Sequence, residues 1–116
     1  MVTLDVSNSL LARIAPVSAE SLAEYCRRWL VAELALFGSV LRDDFGPESD
    51  VDVLVSFAPD ADWSLFDHVK MAEELKALFK REVDLVSRRA VERSQNWIRR
   101  RSILNSAQVI YAARQR

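Results

Sequence analysis

The sequence predicts an α/β (α+β) fold, a small mixed β-sheet flanked by helices, and three observations carry that prediction. Largely apolar runs at 31–37, 51–57 and 83–87, the last two rich in valine, each have the length of one strand. Between them, 19–30 and 64–79 repeat apolar residues at helical spacing. Only 2 glycines and 3 prolines occur among 116 residues, half of which are hydrophobic, so a regular core is favoured over a loop-rich or disordered chain. The β–helix–β alternation layers helices against a sheet, while strand order is left open by a single sequence.

In chain order, 1–17 is an N-terminal extension without the basic start of a secretory leader. Ser18 caps a helix over 19–30, with Leu22, Tyr25, Cys26 and Trp29 on its apolar stripe and Ser21, Glu24 and Arg28 outward. The first strand, 31–37, ends at Gly38-Ser39, and 40–45 follows as a short helical turn. Gly46-Pro47-Glu48-Ser49 returns the chain to the second strand, 51–57, whose Val51, Val53 and Val55 face away from the carboxylates of Asp50 and Asp52. After a connection at 59–62, the helix over 64–79 turns Leu65, Val69, Ala72, Leu75, Leu78 and Phe79 to the core. The third strand is 83–87. One final helix over 91–106 and a short apolar docking segment at 109–111 complete a single domain, with 88–116 as its basic, helical C-terminal segment.

Composition narrows the function classes. The single Cys26 excludes an internal disulfide and a cysteine metal site, which points to a cytoplasmic home. No apolar stretch reaches the length of a membrane span. Residues 1–87 hold 16 acidic and 8 basic side chains, whereas 88–116 hold 1 and 8. That cationic segment is either a solvated helix face or a surface for phosphates or a partner. Nucleic-acid binding through Arg88, Arg89, Arg93, Arg99, Arg100 and Arg101 is disfavoured, because their spacing only partly brings them to one face. With no Gly-Lys-Ser/Thr sequence, a P-loop is excluded.

The chemistry concentrates between 38 and 55. Asp50 and Asp52, at i and i+2, point to one side of a strand. Two adjacent carboxylates repel and are driven to protonate unless a divalent cation offsets their charge. Asp84, in the apolar run Val83-Asp84-Leu85-Val86, is a third candidate if its strand pairs beside the first two; the alternative is a pairing with Lys80 or Arg81. Gly38 permits a bend without a Cβ, and amides at a following helical turn are ready donors to a phosphate. Asp-x-Asp alone is as ordinary as two solvated residues at a strand start. Three aspartates on a small sheet suggest phosphoryl or nucleotidyl transfer.

The string Gly38-Ser39, Arg42, Ser49-Asp50, Asp52 and the strand Val53-Leu54-Val55, in that order, resembles the motif of the polymerase β-like nucleotidyltransferase superfamily. Asp84 fits its later third carboxylate. The small size and the tail Arg99-Arg100-Arg101-Ser102-Ile103-Leu104-Asn105-Ser106-Ala107-Gln108-Val109-Ile110-Tyr111 are similar to the minimal, MNT-type subgroup, over roughly residues 20–112. The resemblance implies a nucleotidyltransferase-like sheet and an Mg²⁺-dependent antitoxin that transfers AMP from ATP to a hydroxyl, such as a tyrosine, of a HEPN-type toxin with which it assembles. It implies that Asp50, Asp52 and Asp84 are catalytic and hold Mg²⁺, two ions in all, and that Gly38, Ser39, Arg42 and Ser49 bind the nucleotide. A contrasting expectation is a non-catalytic antitoxin that neutralises its partner by contact alone.

Other residues carry blander expectations. His68 is a surface or boundary histidine, and Asp43 and Asp44 are solvated loop charges. Trp29, Trp63 and Trp97 are packing or interface residues that nothing in the sequence places near one another.

Overall fold

The computed structural model describes residues 2–4, 14 and 17–115. Five strands, β1 (Val2–Leu4), β2 (Val31–Phe37), β3 (Val51–Phe57), β4 (Val83–Ser87) and β5 (Gln108–Gln115), form one sheet in the order β1-β5-β2-β3-β4. All neighbours are antiparallel except β3 and β4, which run parallel, so the sheet is mixed as expected. The parallel pair requires a crossover, and α2 (Leu65–Phe79) supplies it. The other helices are α1 (Ala19–Arg28), α3 (Arg88–Glu92) and α4 (Trp97–Ser106), with a 3₁₀ turn at Gly38–Leu41. Most of the expected 1–17 extension lies outside the described residues; its described strand, β1, pairs with β5.

Alternation along the strands divides the core in two. Val51, Val53 and Val55 of β3 join Leu34 and Leu36 of β2 in a buried cluster with Leu22, Tyr25 and Cys26 of α1 and Met71, Leu75 and Phe79 of α2. On the other face, Ala35, Phe37 and Leu54 pack against Val91 of α3 and Ile103 of α4. Burying each such Leu, Val or Phe contributes about 1.5–3 kcal/mol. Within the first cluster the Tyr25 hydroxyl donates to the Met71 carbonyl at 3.1 Å, tying α1 to α2. Burial raises the Tyr25 pKa and pushes the Cys26 thiol up to about 12, which makes that cysteine an inert packing residue.

Helix ends follow local chemistry. The Ser18 hydroxyl accepts from Ser21 N at 3.0 Å and starts α1, which ends at Arg28, short of the expected 30, because Leu30 adopts φ 56°. Ser64 and Asp67 form a reciprocal capping box at the start of α2. The inward stripe of α2 is Met71, Leu75 and Phe79 at i, i+4 and i+8, with Ala72 and Leu78 partly buried; Leu65 and Val69, expected in the core, fall outside that stripe and are exposed.

Four further expectations are corrected. The single helix over 91–106 is two helices, because Arg93 ends α3 and the Asn96 side chain accepts from Arg99 N at 3.1 Å to start α4. The docking segment at 109–111 is the middle of β5, an interior strand hydrogen-bonded to both β1 and β2, so the C-terminal segment is not wholly helical. Trp29 and Trp63 stand edge to face with centroids 5.1 Å apart, and the Trp63 indole donates to the Trp29 carbonyl at 2.8 Å. Trp29 in turn donates to Glu74, which also pairs with Arg28. The short helical turn expected over 40–45 is the 3₁₀ turn, two residues earlier.

Candidate active site

β2 delivers the chain to Gly38, and β3 and β4 run side by side away from the same end of the sheet. In register, Phe37 faces Asp52 across the β2–β3 pair and Asp52 faces Asp84 across the parallel β3–β4 pair. Both aspartates alternate with residues of the first core cluster, so they share the sheet face on which α3 and α4 pack. The sequence-expected carboxylates thus meet at adjacent strand positions, with Asp50 just before β3.

Gly38 is explained by that geometry. Its φ is +75°, and a Cβ there would overlap Asp52 Oδ2 and stand 3.2 Å from Asp52 Cγ, so any side chain would collide with the carboxylate as well as strain the backbone. The cradle between the strand end and Asp52 stays open only for glycine. Ser39 closes the turn by donating its hydroxyl to the Asp50 carbonyl at 3.2 Å.

The electrostatics match the crowding. Partial burial, then repulsion from Asp84 and Asp50, raises the Asp52 pKa above the ordinary carboxylate value, while the Arg99 guanidinium pulls it the other way. A cation placed here would relieve the repulsion. The donor set is all carboxylate oxygen, the chemistry of a hard divalent ion such as Mg²⁺. Among the described residues no three His, Cys, Asp or Glu side chains cage an ion unaided. Mg²⁺ ordinarily takes one or two carboxylates and completes its shell with substrate phosphates and water.

The remaining expected residues are held by the loop. Arg42 grips Asp44 with two hydrogen bonds, 3.0 Å from Nε and 2.6 Å from Nη2, which holds the Asp44 carboxyl below its usual range; Asp44 is therefore a partner and not merely a solvated charge. The Ser49 hydroxyl accepts from Gly46 N at 3.0 Å. Arg81, the alternative partner for Asp84, instead donates to the carbonyls of Ile14, Gly46 and Ser49 and stacks on Phe45 at 4.4 Å, bracing the loop that leads into Asp50. His68 is partly buried with Nε2 2.9 Å from the Leu85 carbonyl, a boundary role as expected. Arg99 was not singled out for this site by its sequence context. Its only sequence signal is membership of the cationic 88–116 segment.

A model of the nucleotidyltransferase domain matches residues 19–110. The chain belongs to the nucleotidyltransferase domain family. It is 36% identical over 69 residues to the protein adenylyltransferase MntA of Thermococcus cleftensis, covering 60% of this chain and 68% of that protein. To a protein adenylyltransferase of Methanocaldococcus jannaschii it is 30% identical over 64 residues, covering 55% of this chain and 64% of the relative. This nucleotidyltransferase-family chain therefore spans about two thirds of the length of those relatives. Among solved structures, a minimal nucleotidyltransferase superposes with TM-score 0.61 at 30% identity over 86% of this chain and 91% of its own. The fold is shared by a toxin–antitoxin complex crystallised with AMP-PNP, at TM-score 0.62 and 18% identity over 80% of this chain and 72% of that one. The toxin–antitoxin complex MntA–HepT has it too, at TM-score 0.55 and 17% identity over 80% and 68%. No helix among the described residues is long and apolar enough to cross a membrane.

Proposed function

We propose that the protein is an Mg²⁺-dependent protein adenylyltransferase that acts as an antitoxin, moving AMP from ATP to a hydroxyl, a tyrosine in the first instance, of a HEPN-type toxin with which it forms a hetero-oligomer. The observation that carries this reading is the facing of Asp52 and Asp84 in adjacent parallel strands, beside a Gly38 whose φ of +75° L side chains rarely adopt. The nucleotidyltransferase family supports the reaction class, and the MntA relative and the toxin–antitoxin structures support the acceptor.

Asp50 and Asp52, with Asp84, would hold the Mg²⁺, which supplies charge neutralisation to the phosphates of bound ATP. Gly38 would leave room for the triphosphate against the strand end, and the amides of the Gly38–Leu41 turn would serve as donors to it. Ser39 holds the turn to Asp50, and Ser49 and Arg42 hold the loop that frames it, with Arg42 adding positive charge. Asp84, the most exposed member of the facing pair, accepts the proton of the incoming hydroxyl at a carboxylate oxygen. The acceptor oxygen bonds to the α-phosphorus as the bond to pyrophosphate breaks, so pyrophosphate is the leaving group and AMP stays on the acceptor. The domain assignment of the whole chain, 1–116, and its cytoplasmic site of action belong to the same proposal.

The test incubates the protein, and an Asp50→Ala/Asp52→Ala variant, with Mg²⁺, α-labelled ATP and the protein encoded beside it. Label on the neighbour with wild type alone, and a mass rising by whole AMP units, is the expected result. Equal neutralisation of the neighbour by both versions with no label on it would replace the enzyme with an antitoxin acting by contact.

A further inference from the structure

We propose that the acceptor protein docks on the outer face of α3 and α4, with apolar residues against Trp97 and Ile98 and an acidic surface among the arginines around them. The proposal rests on the adenylyltransferase reading for the nature of the acceptor, but not for the docking itself.

Trp97 and Ile98 are 58% and 65% exposed in the first turn of a helix whose inward residue, Ile103, is buried. A large aromatic and a β-branched side chain side by side in water are the kind of anchor that protein interfaces bury. Helical periodicity carries the same face onward. Ile98, Arg101 and Asn105, at i, i+3 and i+7, lie on the outward side of α4, opposite Ile103.

Charge identifies the occupant. Residues 88–116 contain 8 basic side chains and one acid, Glu92. Glu92 is already paired with Arg88 at 3.5 Å, and Arg88 also reaches Glu33 at 3.6 Å. Among the described residues, no carboxylate lies within ion-pair distance of Arg89, Arg93 or Arg101, all exposed. A partner surface rich in Asp and Glu complements such a face and is steered to it.

Position makes the face productive. Val91 of α3 and Ile103 of α4 pack on Leu54, two residues after Asp52 on the same side of β3. Arg99, one turn before Ile103, is near enough to act on the Asp52 carboxyl. A polypeptide on the outer side of α3 and α4 therefore rests on the two helices that cover the carboxylates' side of the sheet. The exposed residues of α2 offer no such continuity: Phe66, 88% exposed, stands on the helix covering the opposite sheet face, flanked by charges of both signs at Asp67 and Lys70.

The experiment measures affinity for the protein encoded beside this one, and separately AMP transfer to it, for wild type, Trp97→Ser/Ile98→Ser, Arg101→Glu and Phe66→Ser, with circular dichroism to verify folding. Both α4 variants are expected to weaken the complex about tenfold or more and to raise the acceptor KM in step, with affinity for Mg²⁺·AMP-PNP unchanged. Phe66→Ser is expected to behave as wild type, and Arg101→Glu to blunt the salt dependence. Unchanged affinity in both α4 variants, or a loss confined to Phe66→Ser, would overturn the proposal. So would a single-stranded RNA bound through Arg101 with the protein complex untouched. Because affinity is read without catalysis, a complex that forms through Trp97 and Ile98 but transfers no AMP would sink the adenylyltransferase reading and leave the docking face standing.

Discussion

Asp52, central to the proposed site, shows the electrostatic cost of crowding carboxylates. Its carboxyl is raised above the ordinary value by partial burial and by Asp84 and Asp50, so the folded protein holds that proton more tightly than the unfolded chain does. The stability associated with the protonated form is complete below the unfolded value near 3.8 and is lost as pH rises through the higher folded value. At neutral pH the ionised group therefore opposes folding. Asp52→Asn is expected to raise the midpoint of thermal unfolding at pH 7 while removing transfer activity, and the gain over wild type should vanish on acidification toward pH 3.8. Mg²⁺ held as proposed would relieve the same repulsion. Wild type should gain stability with added Mg²⁺, about 2.7 kcal/mol at a hundred times its dissociation constant, and the asparagine variant much less. Equal pH profiles for the two proteins in metal-free buffer would show that the aspartates are not coupled.

Within an element, the decisive signals are the ones a few residues apart. The runs read as strands at 31–37, 51–57 and 83–87 coincide with β2, β3 and β4, because each is a short, largely apolar run bounded by a turn residue or a polar boundary. The capping box of α2 was not read from the sequence, where Ser64 stood only as the first residue of the helix over 64–79, and it is testable in the structure. The Ser64 hydroxyl accepts from Asp67 N at 3.2 Å while Asp67 Oδ2 accepts from Ser64 N at 2.9 Å. Ser64→Ala leaves the first-turn amide unpaired and should cost about 1 kcal/mol in chemical denaturation, with the denaturant slope unchanged. A change below about 0.3 kcal/mol would mean that the crossover helix is fixed by Met71, Leu75 and Phe79 alone. The break at 93–96 was also missed: arginine-rich sequence is compatible with helix throughout, and only the Asn96 cap divides it.

At the scale of the whole molecule, what escaped the sequence is what depends on distant partners. The order of the carboxylates was readable along the chain, but the approach of Arg99 to Asp52 and of Trp63 to Trp29 arises from elements packed across the fold. β5 is the largest such case. Its apolar centre, Val109-Ile110-Tyr111, is too short to announce an interior strand, and it becomes one because β2 offers an edge to it more than seventy residues earlier. There Ile110 is fully buried and Tyr111 is 1% exposed, both in the cluster that unites α1, α2 and the sheet. Ending the chain at Ala107 would strip β2 of its ladder on one side, leave β1 without its only partner among the described residues, and open that cluster. The truncated chain is expected to lose cooperative thermal unfolding, and Tyr111→Ala to cost about 3–5 kcal/mol, as for other large aromatic deletions from cores. Val109→Ser, at an exposed position of the same strand, should change stability by less than about 0.5 kcal/mol. If the chain ending at Ala107 still unfolded cooperatively, β5 would be an accessory strand and the nucleotidyltransferase core would close on β2, β3 and β4 alone.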